Sequence, residues 1–178
     1  MKKLCMILPM ALILCFMVGC QDKEAMAELE AMKAQTEVEE QNKELIRHYL
    51  EGVDSYNIEI FDEVFSSDCR IYFPGSFEPL SREQTKQLVS GFFKVFENIT
   101  HKFEDIIADG DKVLARTTNS ATHTGEFMGI APTGKTVQFG ELHFFRISEG
   151  KIVEAWLQED FLWMYQQLGM ELKPKEGN

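Results

Sequence analysis

The 178-residue chain predicts an α+β domain in which a cone-shaped, strongly bent antiparallel sheet wraps around three N-terminal helices. Three observations carry this expectation. Apolar residues recur at helical spacing in three segments between Leu45 and Phe96, whereas from His101 to Gln158 they alternate at the period of a strand. Only one short strand pattern interrupts the helical part. The turn signals "DGDK" and "SEGK" join successive strand patterns closely enough for antiparallel neighbours.

The elements follow in order. Residues 1–20 stand apart: Lys2 and Lys3 precede an apolar run from Leu4 to Val18, and "VGC" ends at Cys20. This reads as a secretion signal, since the run falls short of the ~20 apolar residues a spanning helix needs and Pro9 interrupts it. "MVGC" resembles the bacterial lipobox, with Met17 where leucine is usual; the resemblance implies that Cys20 is lipidated and becomes the new N-terminus. Residues 21–40 are rich in Ala, Glu, Lys and Met with no Gly or Pro, which favours a helical tether carrying only Ala25, Leu29 and Met32 as a thin apolar stripe. The expected organisation is a signal peptide over 1–19, a lipidated cysteine and tether over 20–40, one domain over 41–170 and a tail over 171–178.

Within the domain, Leu45, Ile46, Tyr49, Leu50 and Val53 share one helix face that ends near Asp54. Asn57 is placed to cap a short helix with Ile58, Phe61, Val64 and Phe65, after which "CRIYFPG" predicts a strand stopped by Pro74 and Gly75. "SREQ" at 81–84 has the form of a capping box, and Leu88, Val89, Phe92, Phe93 and Phe96 make a wide apolar stripe behind it. Strands are expected over 101–108, 112–124, 135–147 and 151–158, followed by the helix "FLWMYQQL" closed by Gly169.

The third of those strands raises the functional question. Alternation puts Val137, Phe139, Glu141, His143, Phe145 and Ile147 on one face, so the more apolar face holds an acid and a histidine. Either they satisfy each other in the core, or they line a pocket at the open end of the bent sheet. On the next strand, alternation turns Val153, Ala155 and Leu157 inward and Glu154, Trp156, Gln158 and Asp160 outward. A bulge near Trp156 would bring Gln158 or Asp160 inward; without one, Asp160 reads as the helix N-cap.

Composition narrows the function classes. Removing residues 1–20 takes Lys2 and Lys3 and no acid, moving the net charge from −11 to −13, which argues against nucleic acid as a partner. Of the four cysteines only Cys69 lies in the predicted domain, so no disulfide or cysteine metal site forms within it. Ser-His-Asp order, Walker, dinucleotide-binding, HExxH and EF-hand patterns are missing.

"THTGEFMGIAPTGKTV", "FFRISEGKIVEAW" and "QQLG" together resemble the SnoaL-like polyketide cyclases, or ester cyclases, from about Asn42 to Gly169. The resemblance implies the nuclear-transport-factor-2-like cone and acid/base chemistry without metal or organic cofactor. Carried over by position, the family's catalytic histidine falls on His143 and the polar residue two before it on Glu141, while its catalytic aspartate falls on Leu157, which can neither take nor give a proton. "FENI" at 96–99 also departs from the usual Phe-Pro-Asp. The "THTG" histidine, His123, reads as structural in a loop that needs Gly125, Gly129 and the turn from Pro132 to Gly134. His48 and His101 stand singly and carry no expected chemistry.

Two uses of such a cavity fit these residues. One is an enzyme acting on a small carbonyl compound or ester through His143 with Glu141, with Asp160 as a further candidate. The other is a lipid-anchored, non-catalytic binder of a small apolar ligand, or an assembly protein. Tyr49, Tyr72, Trp156, Leu157 and Gln158 are the candidate pocket wall. The expected setting is the bacterial envelope, with the domain outside the cytoplasm and held to the membrane through Cys20, and the expected state is a homodimer through Leu142, Phe144 and Trp156.

Overall fold

The computed structural model describes residues 7–171 and 173, and side chains from Lys23 onward. The side chain of Cys20, the first six residues of the predicted signal and most of the predicted tail lie outside the described residues. The chain divides into two compact units, Met1–Val38 and Glu39–Asn178. One helix, α1 (Ile7–Asp54), runs without a break through the segment read as a tether. Among the described residues no helix is long and apolar enough to cross a membrane.

In the second unit, α1 buries Ile46, Tyr49, Leu50 and Val53, the face that helical spacing predicts. A short helix α2 (Ile60–Val64) buries Ile60, Phe61 and Val64 beside it. Gly52 permits this approach, because a Cβ there would lie 2.5 Å from Ile60 Cγ1. Asn57 does not cap α2. Its Oδ1 accepts from the Glu59 amide at 3.2 Å, a local turn that delays the helix until Ile60.

Strand β1 (Phe65–Tyr72) follows, then α3 (Arg82–Phe93), whose N-terminus carries the reciprocal capping box of Ser81 and Gln84. The remaining strands are β2 (Phe96–Asp109), β3 (Lys112–His123), β4 (Thr136–Ser148) and β5 (Lys151–Glu159), with α4 (Phe161–Leu168) last. The β2–β3 turn is held to α1: Asn42 Nδ2 donates to the Gly110 carbonyl at 2.9 Å, and the Gly110 amide donates to Glu39 Oε1 at 3.0 Å.

The sheet order is β1-β5-β4-β3-β2. It is mixed rather than wholly antiparallel: β2 to β5 pair antiparallel, but β1 pairs parallel with β5, Ile71 opposite Ala155 and Tyr72 opposite Trp156. Strand β2 also starts five residues earlier than alternation predicts, because irregularities at 97–100 and at Asn98 (φ 55°) hide its period. Two apolar clusters build the core, one joining α1, α2 and the β1–β5 side, the other joining Phe96, Ala121, Val137 and Phe139 to α4.

Candidate active site

Between those clusters lies a cavity of about 360 Å³. Its upper wall is apolar, with Leu88, Val89, Phe92 and Phe93 of α3 facing Phe139, Phe161 and Tyr165. This explains why α3 fully buries only Thr85 despite its apolar stripe: the stripe faces a space and not a packed core. The polar groups converge on one region of the wall, supplied by the inward positions of four adjacent strands.

Glu141 is the centre of that region. The alternation of β4 holds as expected, with Val137, Phe139, Glu141, His143, Phe145 and Ile147 all buried. Glu141 Oε2 receives Asn119 Nδ2 at 2.5 Å and His143 Nε2 at 3.1 Å, and lies 3.9 Å from His101 Nε2. Burial alone would raise the Glu141 carboxyl; the charges of His143 and His101 and the hydrogen bonds from His143 and Asn119 outweigh it and hold the group below its usual range. The His143 ring stacks on Phe145, and its Nδ1 is enclosed without a hydrogen-bond partner.

Glu159 escaped the sequence reading. It lies directly across from Glu141 in the β4–β5 register and lines the cavity. Burial first, then the adjacent Glu141 charge and hydrogen bond, push its carboxyl up to about 9, so it stays protonated at neutral pH and donates to Glu141. The signal was present: the inward series Ala155, Leu157 continues by parity to Glu159. Tyr49, ringed edge-on by Phe61, Phe65 and Phe145, lines the same cavity, and burial followed by the Glu141 and Glu159 charges raises its phenol. It remains a neutral donor.

His101 also escaped. Its Nδ1 lies 2.5 Å from Asp54 Oδ1, its amide donates to Asp54 Oδ2 at 3.0 Å, and its ring lines the cavity. No local pattern announces this pair, because Asp54 ends α1 and His101 sits in β2.

The other candidates fall as follows. Tyr49 and Leu157 line the cavity; Leu157 sits opposite His143 in the register. Tyr72, Trp156 and Gln158 do not line it. Tyr72 and Trp156 stack on each other with centroids 3.7 Å apart, and Trp156 Nε1 donates to Glu154, on the face turned away from the cavity. The irregularity in β5 falls at Val153, between Ile152 and Glu154, and not near Trp156. Facing beyond Ala155 is therefore undisturbed, Gln158 is exposed, and Asp160 caps α4 through the Trp163 amide at 3.0 Å. His123 is buried against Phe96 and Phe127 with Nδ1 3.1 Å from Thr133 Oγ1, outside the cavity wall. Its loop needs Gly125, where a Cβ would come within 2.7 Å of the Lys94 carbonyl oxygen.

Similar proteins are found chiefly among solved structures. IdmH of Streptomyces antibioticus, described as a candidate polyketide cyclase, shares 30% identity with a TM-score of 0.68, covering 73% of this chain and 99% of its own. AclR of Streptomyces galilaeus, described as a candidate hydroxylase, shares 27% with a TM-score of 0.68, covering 74% and 97%. A SnoaL-like protein of Jannaschia sp. CCS1 has the same fold at 19% identity and a TM-score of 0.68, covering 76% and 96%. No curated protein matches the chain. The model of the SnoaL-like polyketide cyclase family matches residues 43–168, the whole span that builds the sheet, the cavity and its polar wall, and the chain belongs to that family.

Proposed function

We propose that the cavity carries out acid/base chemistry on a small, largely apolar carbonyl compound or ester: a proton is removed from the carbon beside the carbonyl, and the oxygen that gains charge is met by a donor. The observation that carries this reading is the pairing of Glu141 with Glu159 on one wall of an otherwise apolar cavity, with His143 bonded to the former. One carboxyl is held ionised and its neighbour protonated, so a negative charge and a neutral acid stand side by side at neutral pH. The position where the family's aspartate is expected is Leu157; Glu159, two residues on and on the same face, supplies a carboxyl there instead. Tyr49 is a neutral donor for the substrate oxygen.

The test uses β-tetralone, a bicyclic enolisable ketone, in deuterated buffer. The full chain is expected to accelerate exchange of its α-protons, read by proton NMR, and Glu141→Gln to lower that rate by roughly 10²–10⁴-fold. β-Naphthol, which has the shape of the enol, reports binding separately through its fluorescence. Binding without exchange supports the non-catalytic ligand carrier instead; neither binding nor exchange removes both readings.

We also propose that the protein is a lipid-anchored homodimer of the bacterial envelope. Cys20 in "MVGC" supports the anchor, and the exposed apolar residues on the outer sheet face support the dimer. Two or three acyl chains at ~0.8 kcal/mol per buried methylene hold such a protein firmly. Mass spectrometry is expected to find an acylated Cys20 at the mature N-terminus and none in Cys20→Ala; an unmodified N-terminus elsewhere would sink the anchor.

A further inference from the structure

The cavity holds two imidazoles in opposite circumstances. His143 turns Nε2 to Glu141 at 3.1 Å and leaves Nδ1 enclosed; its side chain is 2% exposed. Because a carboxylate only accepts, that Nε2 carries the hydrogen and is committed. His101 is arranged the other way. Asp54 takes both its Nδ1–H and its amide, so in the neutral ring Nε2 carries the lone pair. The His101 side chain is 10% exposed, five times the value for His143, and both rings line the cavity.

We propose that His101, oriented by Asp54, is the catalytic base that meets the substrate, and that Glu141 with His143 forms its supporting wall. This deepens the proposed acid/base function and rests on it. In the step, His101 Nε2 takes the proton from the carbon beside the carbonyl and the C–H electron pair moves into the enolate. The enolate oxygen is held by the hydrogen bond from the Tyr49 hydroxyl, which lines the same cavity. Return of a proton from the imidazolium to the same carbon restores the ketone, so nothing is consumed. The imidazolium is favoured by Asp54 on one side and by Glu141 Oε2, 3.9 Å from Nε2, on the other.

Two elements besides its own place titratable groups against this ring, α1 with Asp54 and β4 with Glu141 and His143 (rings 6.3 Å apart), while Tyr49 of α1 and Glu159 of β5 line the same cavity. Its cross-strand partner on β3 is Asn119, which carries no charge but ties Glu141 in place. Asp54 is thus a positioning residue. Replacing it by an amide is expected to alter the pH dependence of the reaction as well as its rate.

The experiment measures β-tetralone exchange across pH, β-naphthol affinity and melting temperature in the full chain and in His101→Gln, Asp54→Asn and Glu141→Gln. His101→Gln is expected to lose roughly 10²–10⁴-fold in exchange while binding β-naphthol within a few-fold of wild type. Asp54→Asn is expected to exchange more slowly and to move the acid limb of the profile to lower pH, because the imidazolium loses its counter-charge. An unchanged rate in His101→Gln, with Glu141→Gln inactive, would overturn the role of His101 and leave the proposed function standing. A wild type that exchanges nothing would overturn both. Should His101→Gln melt far below wild type, Asp54→Asn decides, and an unchanged rate and profile in that variant overturns the proposal.

Discussion

At the scale of single residues, Glu159 makes the stability of the molecule depend on pH in a direction opposite to the usual carboxylate. Its folded-state value of about 9 lies above the ordinary 4.5, so through that window the native state keeps a proton that the unfolded chain has released. Its contribution is complete below 4.5, falls as pH rises and levels off above about 9, with a slope of at most about 1.4 kcal/mol per pH unit. Glu141, held low, acts oppositely: its contribution is lost as pH falls through its depressed folded value. Glu159→Gln, neutral at every pH, is expected to flatten the neutral-to-alkaline decline seen in urea unfolding; an unchanged slope would show that no proton is shared there. His143→Gln breaks a buried bond to Glu141 and is expected to lose roughly 1–3 kcal/mol in the same assay.

The elements differ in how openly the sequence announced them. The inward face of β4, the capping box of α3 and the Asp160 to Gly169 frame of α4 were legible, because each rests on residues within a few positions of one another. The parallel pairing of β1, the Val153 irregularity and the Asp54–His101 pair were not, because each depends on which distant segment comes alongside. Glu159 is the instructive case between them, since parity pointed to it while the adjacent cap Asp160 and the substituted position Leu157 drew attention away. Helix α3 gives the element-scale prediction. Little of it is buried, so its cap matters: Ser81→Ala is expected to cost about 1 kcal/mol. Because α3 forms one cavity wall, weaker β-naphthol binding should accompany the loss.

For the whole molecule, the sheet face turned away from the cavity exposes Leu142, Leu114 and Ile107, with Phe144 beside Leu114 and Trp156 beyond Phe144. Residues 39–178 are expected to sediment as a dimer at tens of micromolar, and Leu142→Asp as a monomer; a monomeric wild type would count against pairing through this face. The position of β5 bears on when the protein can fold. β5 lies between β4 and β1, and the β1 residues it pairs with are more than eighty positions earlier in the chain. Until residues 151–159 emerge, β1 has no strand to pair with, and the wall that carries Leu157 and Glu159 does not exist. Such distant pairing slows folding relative to chains built from local contacts. In a chain proposed to leave the cytoplasm, β1 stays unpaired and the cavity wall unfinished until the C-terminal strand has been made.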